Sequence, residues 1–217
     1  MNHKNHRVVI WVLALLPVAV TAAVYPSLPS EIPTHWGIDG TVTYGGRYTI
    51  WFIALMSPLF AFLFPLMRKI DPRRTNYAKF TGAYNGFIIA LLLFLLAMNL
   101  TILSETFYPG RLSMYRFVMV AVGLLFAFLG YLMPQAKSNF FFGVRTPWTL
   151  SDIEVWDKTH KLAGHLFLYG GIFMIAMPFV LPEQIAFWAL MALVFVLAGV
   201  PSVMSYLWYH RKSDHPA

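Results

Sequence analysis

Six predominantly apolar runs, at 8–25, 49–67, 80–103, 112–133, 162–181 and 185–208, alternate with polar segments along the chain. Each run is long enough to cross a bilayer as a helix. Within hydrocarbon the backbone must satisfy its own N–H and C=O groups, so the pattern predicts an all-α, polytopic membrane protein with six transmembrane helices. The polar segments are unequal. Segments 26–48 and 139–161 are long and carry many residues that shape a backbone, whereas the connector around Pro182 and Glu183 is very short. The spans are grouped as a two-span N-terminal region, 1–79, and a four-span region, 80–217.

Segment 139–161 reads NFFFGVRTPWTLSDIEVWDKTHK and gathers a glycine, an arginine, a proline and two tryptophans. Thr146 precedes Pro147 and is driven toward extended backbone, which predicts a stiff non-helical unit of Arg145, Thr146 and Pro147. Ser151 followed three residues later by Glu154 is a capping-box pattern, and Asp152 adds negative charge to the first turn, so a helix is expected to start there. Ile153, Trp156, His160 and Ala163 then recur at helical spacing. This predicts a short amphipathic helix lying at the membrane surface before the fifth span. Taken singly, Arg145 reads as a cation on lipid phosphate, and Trp148 and Trp156 as interfacial anchors. Taken together they read as a structured platform, in which the planar fork of Arg145 holds loop carbonyls, a carboxylate or a phosphate.

Segment 26–48 is stiffened by Pro26, Pro29 and Pro33 and turned by Gly37, Gly40, Gly45 and Gly46. It presents Glu31, Pro33, His35, Trp36, Asp39 and Gly40 either as contacts for an external ligand or as a cap whose tryptophan sits at headgroup level. In the second span Pro58 and Pro65 are kink positions. In the third, Gly82 and Gly86 form a small-xxx-small pattern that predicts close helix approach, and Asn85 and Asn99 are expected to hydrogen-bond across helices. The connector 68–79 is strongly basic around Asp71 and Pro72, and is expected to retain topology and meet anionic headgroups.

Composition agrees with the pattern: of 217 residues, 59% are hydrophobic and 12% charged, and mean hydropathy is +0.62. That is too little charge to cover a soluble globular surface. The net charge of +7 matters here through its placement. With the N-terminus in the cytoplasm, all of the 16 Lys and Arg residues except Arg47, Arg111 and Arg116 fall on the cytoplasmic side. The positive-inside rule therefore orients a multi-pass membrane protein with both termini in the cytoplasm. The first run has a second reading as a cleaved signal peptide, because basic residues precede it and Thr21, Ala22 and Ala23 end it. Cleavage would leave the other spans oriented as before.

The absence of cysteine removes disulfides, thiolate metal sites and a cysteine nucleophile. The span middles hold no acid, base or lysine; Arg116 and His165 lie near span ends. His160 and His165 are on different sides of a helix, His35 is alone, and His3, His6, His210 and His215 belong to the tails, so no metal set forms. No phosphate loop or nucleophile elbow occurs either. These residues point away from an enzyme and from any cofactor or metal. A transporter or membrane enzyme of unknown substrate is the competing class, and would need convergent ionisable groups at the bilayer midplane.

Two motifs carry a family resemblance. N-x-x-x-G-V-R-T-P-W-T-L followed by V-W-x-K-T-H-K-x-A-G resembles the signature of the SdpI family, bacterial membrane proteins that confer immunity to a secreted toxin. L-P-S-E-I-P-T-H-W-G-I-D-G with Gly45, Gly46 and Arg47 resembles a small domain of unknown function that often precedes the SdpI region. The resemblance implies a membrane immunity protein and receptor. Its implied partners are a secreted peptide toxin, membrane lipid and a cytoplasmic transcriptional repressor, with no direct contact to nucleic acid. On the motif positions it implies a cytoplasmic platform comprising Asn139, Gly143, Arg145, Thr146, Pro147, Trp148 and Thr149, continued by Trp156, Thr159 and His160.

Overall fold

In the computed structural model each apolar run is a helix: α1 (His3–Val24), α2 (Ile50–Ile70), α3 (Thr81–Phe107), α4 (Met114–Leu132), α6 (Ile153–Val180) and α7 (Glu183–Asp214). A further helix of five residues, α5 (Pro147–Ser151), lies between α4 and α6. Residues 3–37 and 39–214 are described; His215 lies outside them, as do the side chains of His3 and Lys4. Among the described residues six helices have the length and hydropathy to cross a membrane. The chain is an all-α, multi-pass membrane protein.

Segment 26–48 is more ordered than a loop. It forms an antiparallel hairpin of β1 (Glu31–Trp36) and β2 (Val42–Gly46), with Glu31 opposite Gly46 and Trp36 opposite Val42. Pro33 is accommodated because a two-stranded ribbon has open edges, and the register shifts between Pro33 and His35. The Gly37 N–H donates to the Thr41 carbonyl at 2.8 Å and closes the turn, where Gly40 takes a φ of 80°. The root of the hairpin is apolar: Leu28 and Ile32 are buried with Ile50 of α2 and Leu103 of α3. Arg47 donates to the Leu28 carbonyl at 3.2 Å.

Helices α1, α2 and α3 pack together around Ile10, Ala14, Ala61, Tyr84 and Ile88. Phe142, from the segment after α4, enters the same cluster, with its ring 5.9 Å from Tyr84 and 5.1 Å from Phe87. The tightest helix pair is α4 with α6, and it rests on glycines. A Cβ on Gly130 would lie 2.2 Å from the Leu168 nitrogen, and one on Gly171 would lie 2.3 Å from the Ala127 nitrogen. The two backbones therefore touch, which is how membrane helices gain packing energy without a hydrophobic drive between them. The expected close approach at Gly82 and Gly86 is not found. Gly82 faces open space and Gly86 makes an ordinary 3.6 Å contact with Phe128. Asn99 does bond across helices, its amide donating to Thr21 Oγ1 at 3.2 Å, whereas Asn85 lines a cavity.

Three local expectations for segment 139–161 are corrected. Pro147 is helical, at the first position of α5, where its missing N–H is harmless. Ser151 ends α5 and donates to the Pro147 carbonyl at 2.7 Å; the cap of α6 is Asp152, accepting from the Glu154 and Val155 N–H groups at 2.8 and 3.1 Å. The helix expected from Ser151 is not separate from the fifth span; the short helix before that span is α5. Helix α6 is continuous, and its first turns face protein: Trp156 is 0% and His160 1% exposed. From Trp156 onward the apolar stripe that suggested a membrane surface is buried, with the chain after α4 against Trp156 and His160, while Ile153 stays 72% exposed.

Candidate functional site

Asp71, at the end of α2, is the one acid in an otherwise basic connector and is 2% exposed. Its Oδ1 accepts from the Arg73 N–H at 2.6 Å, and its Oδ2 accepts from the Phe140 N–H at 2.8 Å and the Tyr77 hydroxyl at 2.9 Å. Burial, then the bond to Asp71, pushes the Tyr77 hydroxyl upward, so it stays a donor. The Arg73 guanidinium donates to Ser138 Oγ and, at 2.8 Å, to the Leu150 carbonyl, and lies 5.1 Å from the Phe140 ring centroid. Asn76 donates to the Ser138 carbonyl at 2.8 Å. The connector 68–79 is thus the seat of the platform.

On that seat Asn139 folds the chain around itself. Its amide donates to the Lys137 and Phe142 carbonyls at 2.8 and 3.0 Å, and its oxygen accepts from the Phe141 and Phe142 N–H groups at 2.9 and 2.6 Å. Gly143 follows with a φ of 97°, and a Cβ there would lie 2.2 Å from His160 Nε2, so only glycine fits. His160 Nε2 accepts from the Val144 N–H at 3.0 Å. That assigns the proton to Nδ1, which lies 2.8 Å from the Trp156 carbonyl. Trp156 stacks on His160 with centroids 4.0 Å apart, and its indole N–H donates to the Ala136 carbonyl at 2.9 Å.

The segment continues into a capping box. Thr146 Oγ1 accepts from the Thr149 N–H at 3.2 Å, and Thr149 Oγ1 accepts from the Thr146 N–H at 2.9 Å. Thr146 also meets Ser205 of α7 at 2.9 Å, while Trp148 sits edge-on to Tyr206 with centroids 5.0 Å apart. Lys212 bonds Asp152 at 2.8 Å and Glu154 at 2.9 Å, tying the two helix ends together. The Asp152 carboxyl is held below its usual range, chiefly by that lysine. Thr159 is buried, and its hydroxyl finds no partner among the described residues.

Arg145 is exposed, and among the described residues its guanidinium makes a single hydrogen bond, to the Phe140 carbonyl at 2.8 Å. The two-pronged arginine is Arg73, which the motif reading missed together with Asp71, Asn76 and Tyr77. One signal was available in the sequence: a lone Asp-Pro in a run of cations, where topology alone asks only for positive charge.

At the opposite end a cleft of about 650 Å³ lies between the hairpin and the first turns of α4 and α7. His35, Trp36 and Gly40 line one wall, and Tyr115, Met119, Glu183, Phe187 and Leu190 are among the residues of the others. His35 and Glu183 are both exposed. Of the remaining outer residues, Glu31 sits at the hairpin root opposite Gly46, and Pro33 is buried opposite Tyr44. Asp39 accepts from the Thr41 N–H at 3.1 Å and its hydroxyl at 2.7 Å, which holds its carboxyl low. These three shape the hairpin; His35, Trp36 and Gly40 face the cleft.

Comparison with known proteins bears on both ends. Residues 135–205 match the SdpI/YfhL protein family, and residues 12–57 match a domain of unknown function, DUF1648. The first range holds the platform from Ala136 to Ser205, and the second spans the hairpin. The chain is 26% identical over 201 residues to the immunity protein SdpI of Bacillus subtilis (strain 168), covering 93% of this chain and 94% of that protein. No solved structure matches it.

Proposed function

The chain carries an SdpI/YfhL family region behind a DUF1648 region, and on that premise we propose that it is a membrane immunity protein protecting its cell from a secreted antimicrobial peptide. The observation that carries this reading is its similarity to an immunity protein over nearly the whole length of both chains. The cleft beneath the hairpin supplies the place. Trp36, Met119, Phe187 and Leu190 receive an apolar side chain of the peptide, and Glu183 receives a basic group beside it. Removing the gene is expected to sensitise cells to the peptide and re-expression to restore protection; equal survival of both strains would contradict the reading.

The reading requires the hairpin outside and both termini in the cytoplasm, the arrangement the basic residues favour. Because the chain has no cysteine, Tyr44→Cys and Arg74→Cys report orientation cleanly. Cysteine at 44 should react with an impermeant thiol reagent in intact cells and cysteine at 74 only after permeabilisation. Gly40 is avoided because of its positive φ.

On the cytoplasmic side the platform recruits a transcriptional repressor. A crevice of about 410 Å³ beside it, lined in part by Phe141, Val144, Arg145, Thr146 and Ser202, favours this second role. Peptide exposure should then move a DNA-binding protein into the membrane fraction, and no protein should move in cells with Thr146→Trp.

A further inference from the structure

A cavity of about 420 Å³ opens between α1, α2 and α3 at the platform end of the molecule, far from the hairpin cleft. Two kinds of surface meet in it. Arg7, from the first turns of α1, and Arg68 and Lys69, from the last turn of α2, lie on its wall. A shallower hollow shares Arg68 and Lys69 and adds Arg74. The remaining walls are mostly apolar, with Ile10, Phe62 and Leu66 among them. Among the described residues the ion pairs are made by Lys137, Lys158 and Lys212, so none of these four cations is neutralised by a carboxylate. The Arg68 guanidinium lies 5.9 Å from the centroid of the Tyr77 ring, whose hydroxyl bonds Asp71.

The apolar part opens sideways. Phe62 is 58% and Trp11 40% exposed on the walls of a helix bundle that spans a membrane, so what meets them is lipid. Asn85, half-buried on α3, places an amide on the same wall and makes no hydrogen bond shown among the described residues. The cavity therefore asks for a molecule with an anionic head, a polar neck and a hydrocarbon chain. A free phosphate would leave the apolar walls unfilled, and a zwitterionic lipid would bring its own cation to a site already positive.

We propose that this cavity is a binding site for one anionic phospholipid, its phosphate between Arg7, Arg68 and Lys69 and an acyl chain along Ile10, Phe62 and Leu66. Basic pockets between transmembrane helices recognise anionic headgroups through this combination of charge and groove. The site is independent of the immunity role and of the hairpin cleft. It also accounts for cations at the seam where α1 meets α2, whereas orientation asks only that they be on the same side.

Native mass spectrometry of the full chain in detergent tests it, with phosphatidylglycerol, phosphatidylcholine and glycerol 3-phosphate as probes. Wild type should retain one phosphatidylglycerol in preference to phosphatidylcholine by about tenfold or more, and should not retain glycerol 3-phosphate. Arg7→Gln with Arg68→Gln should abolish the preference. Lys79→Gln, which removes an exposed cation at the same end but outside the cavity, should leave it within about twofold. Equal retention of both lipids, an equal loss in Lys79→Gln, or retention of glycerol 3-phosphate would each overturn the proposal. Fluorescence gives a second reading without touching a charge. Phosphatidylglycerol with brominated chains should quench wild type more than Trp11→Phe, and identical quenching of the two would exclude an acyl chain in the cavity.

Discussion

At one end of the molecule Asn139 is fully buried with both its amide and its oxygen engaged, and Asp71 and Arg73 hold the chain around it through main-chain groups. At the other end His35 and Trp36 stand on a two-stranded hairpin anchored by its root, where Leu28 and Ile32 are buried and Arg47 reaches back to the Leu28 carbonyl. Both are connectors between spans. The platform is over-determined, because each buried polar group that loses its partner costs the full desolvation penalty. The hairpin carries its cleft residues on exposed backbone and has little to lose when they change. Substitutions at the platform should therefore register as lost stability, and substitutions at the cleft as lost recognition.

Asp71→Ala is the largest expected break. It leaves the Phe140 N–H and the Arg73 N–H without their acceptor, reduces the Tyr77 hydroxyl to its 3.2 Å bond to Asn139 Oδ1 and removes a buried charge, which should cost about 3–5 kcal/mol. Thermal unfolding in detergent measures it, and a loss below about 1 kcal/mol would mean the network is not what holds the platform. Gly143→Ala comes next. Its Cβ would lie 2.2 Å from His160 Nε2 at a φ of 97°, so strain and the displaced Val144 bond should cost about 2–3 kcal/mol. Gly40→Ala, at a positive φ with open space around it, isolates the backbone part of that cost and should fall near 1 kcal/mol.

A paired substitution sharpens the contrast within the platform itself. Arg73→Lys loses a fork that reaches both Ser138 and Leu150 and should cost about 1–2 kcal/mol. Arg145→Lys loses one exposed bond to Phe140 and should stay within about 0.5 kcal/mol. Equal losses would return the organising role to Arg145.

How much of this was readable beforehand depends on the scale of the signal. Six spans follow from apolar length alone, and all six are helices among the described residues. Glycine, threonine and tryptophan in segment 139–161 marked a built structure, and Thr146, Thr149, Trp156 and His160 do come together there. What escaped was long-range pairing. Nothing local in Asp71 or Arg73 says that they bond Phe140 and Leu150, tens of residues away. The α4–α6 seam is less legible because Gly123 with Gly130 and Gly164 with Gly171 repeat over two turns, whereas Gly82 and Gly86 have the four-residue spacing of the small-xxx-small pattern without its close approach. The hairpin was hidden by the prolines and glycines that read as loop, although a free-edged ribbon tolerates both. The apolar face of the first turns of α6 suited lipid and protein equally, and only the fold decides between them.

A smaller effect should appear with pH where α7 meets α6. The Asp152 carboxyl lies below its ordinary value because Lys212 bonds it. A lowered folded value makes the contribution full above about pH 3.9 and lost as pH falls through the lower folded value. The pair is exposed, so Lys212→Ala should cost little at neutral pH. That small difference should vanish in acid; a difference that grew as pH fell would reverse the assignment.

The smallest stability change is expected at the cleft, where the proposed recognition of a secreted peptide is tested directly. His35→Ala with Trp36→Ala should leave membrane abundance and unfolding temperature at wild-type levels. Killing by the secreted peptide should then be measured as a dose–response in cells carrying each form at matched abundance. The inhibitory concentration should fall about tenfold or more, toward that of cells lacking the protein, as when a central aromatic contact is removed from an interface. Protection equal to wild type would contradict the proposal, because the cleft would then carry no part of recognition.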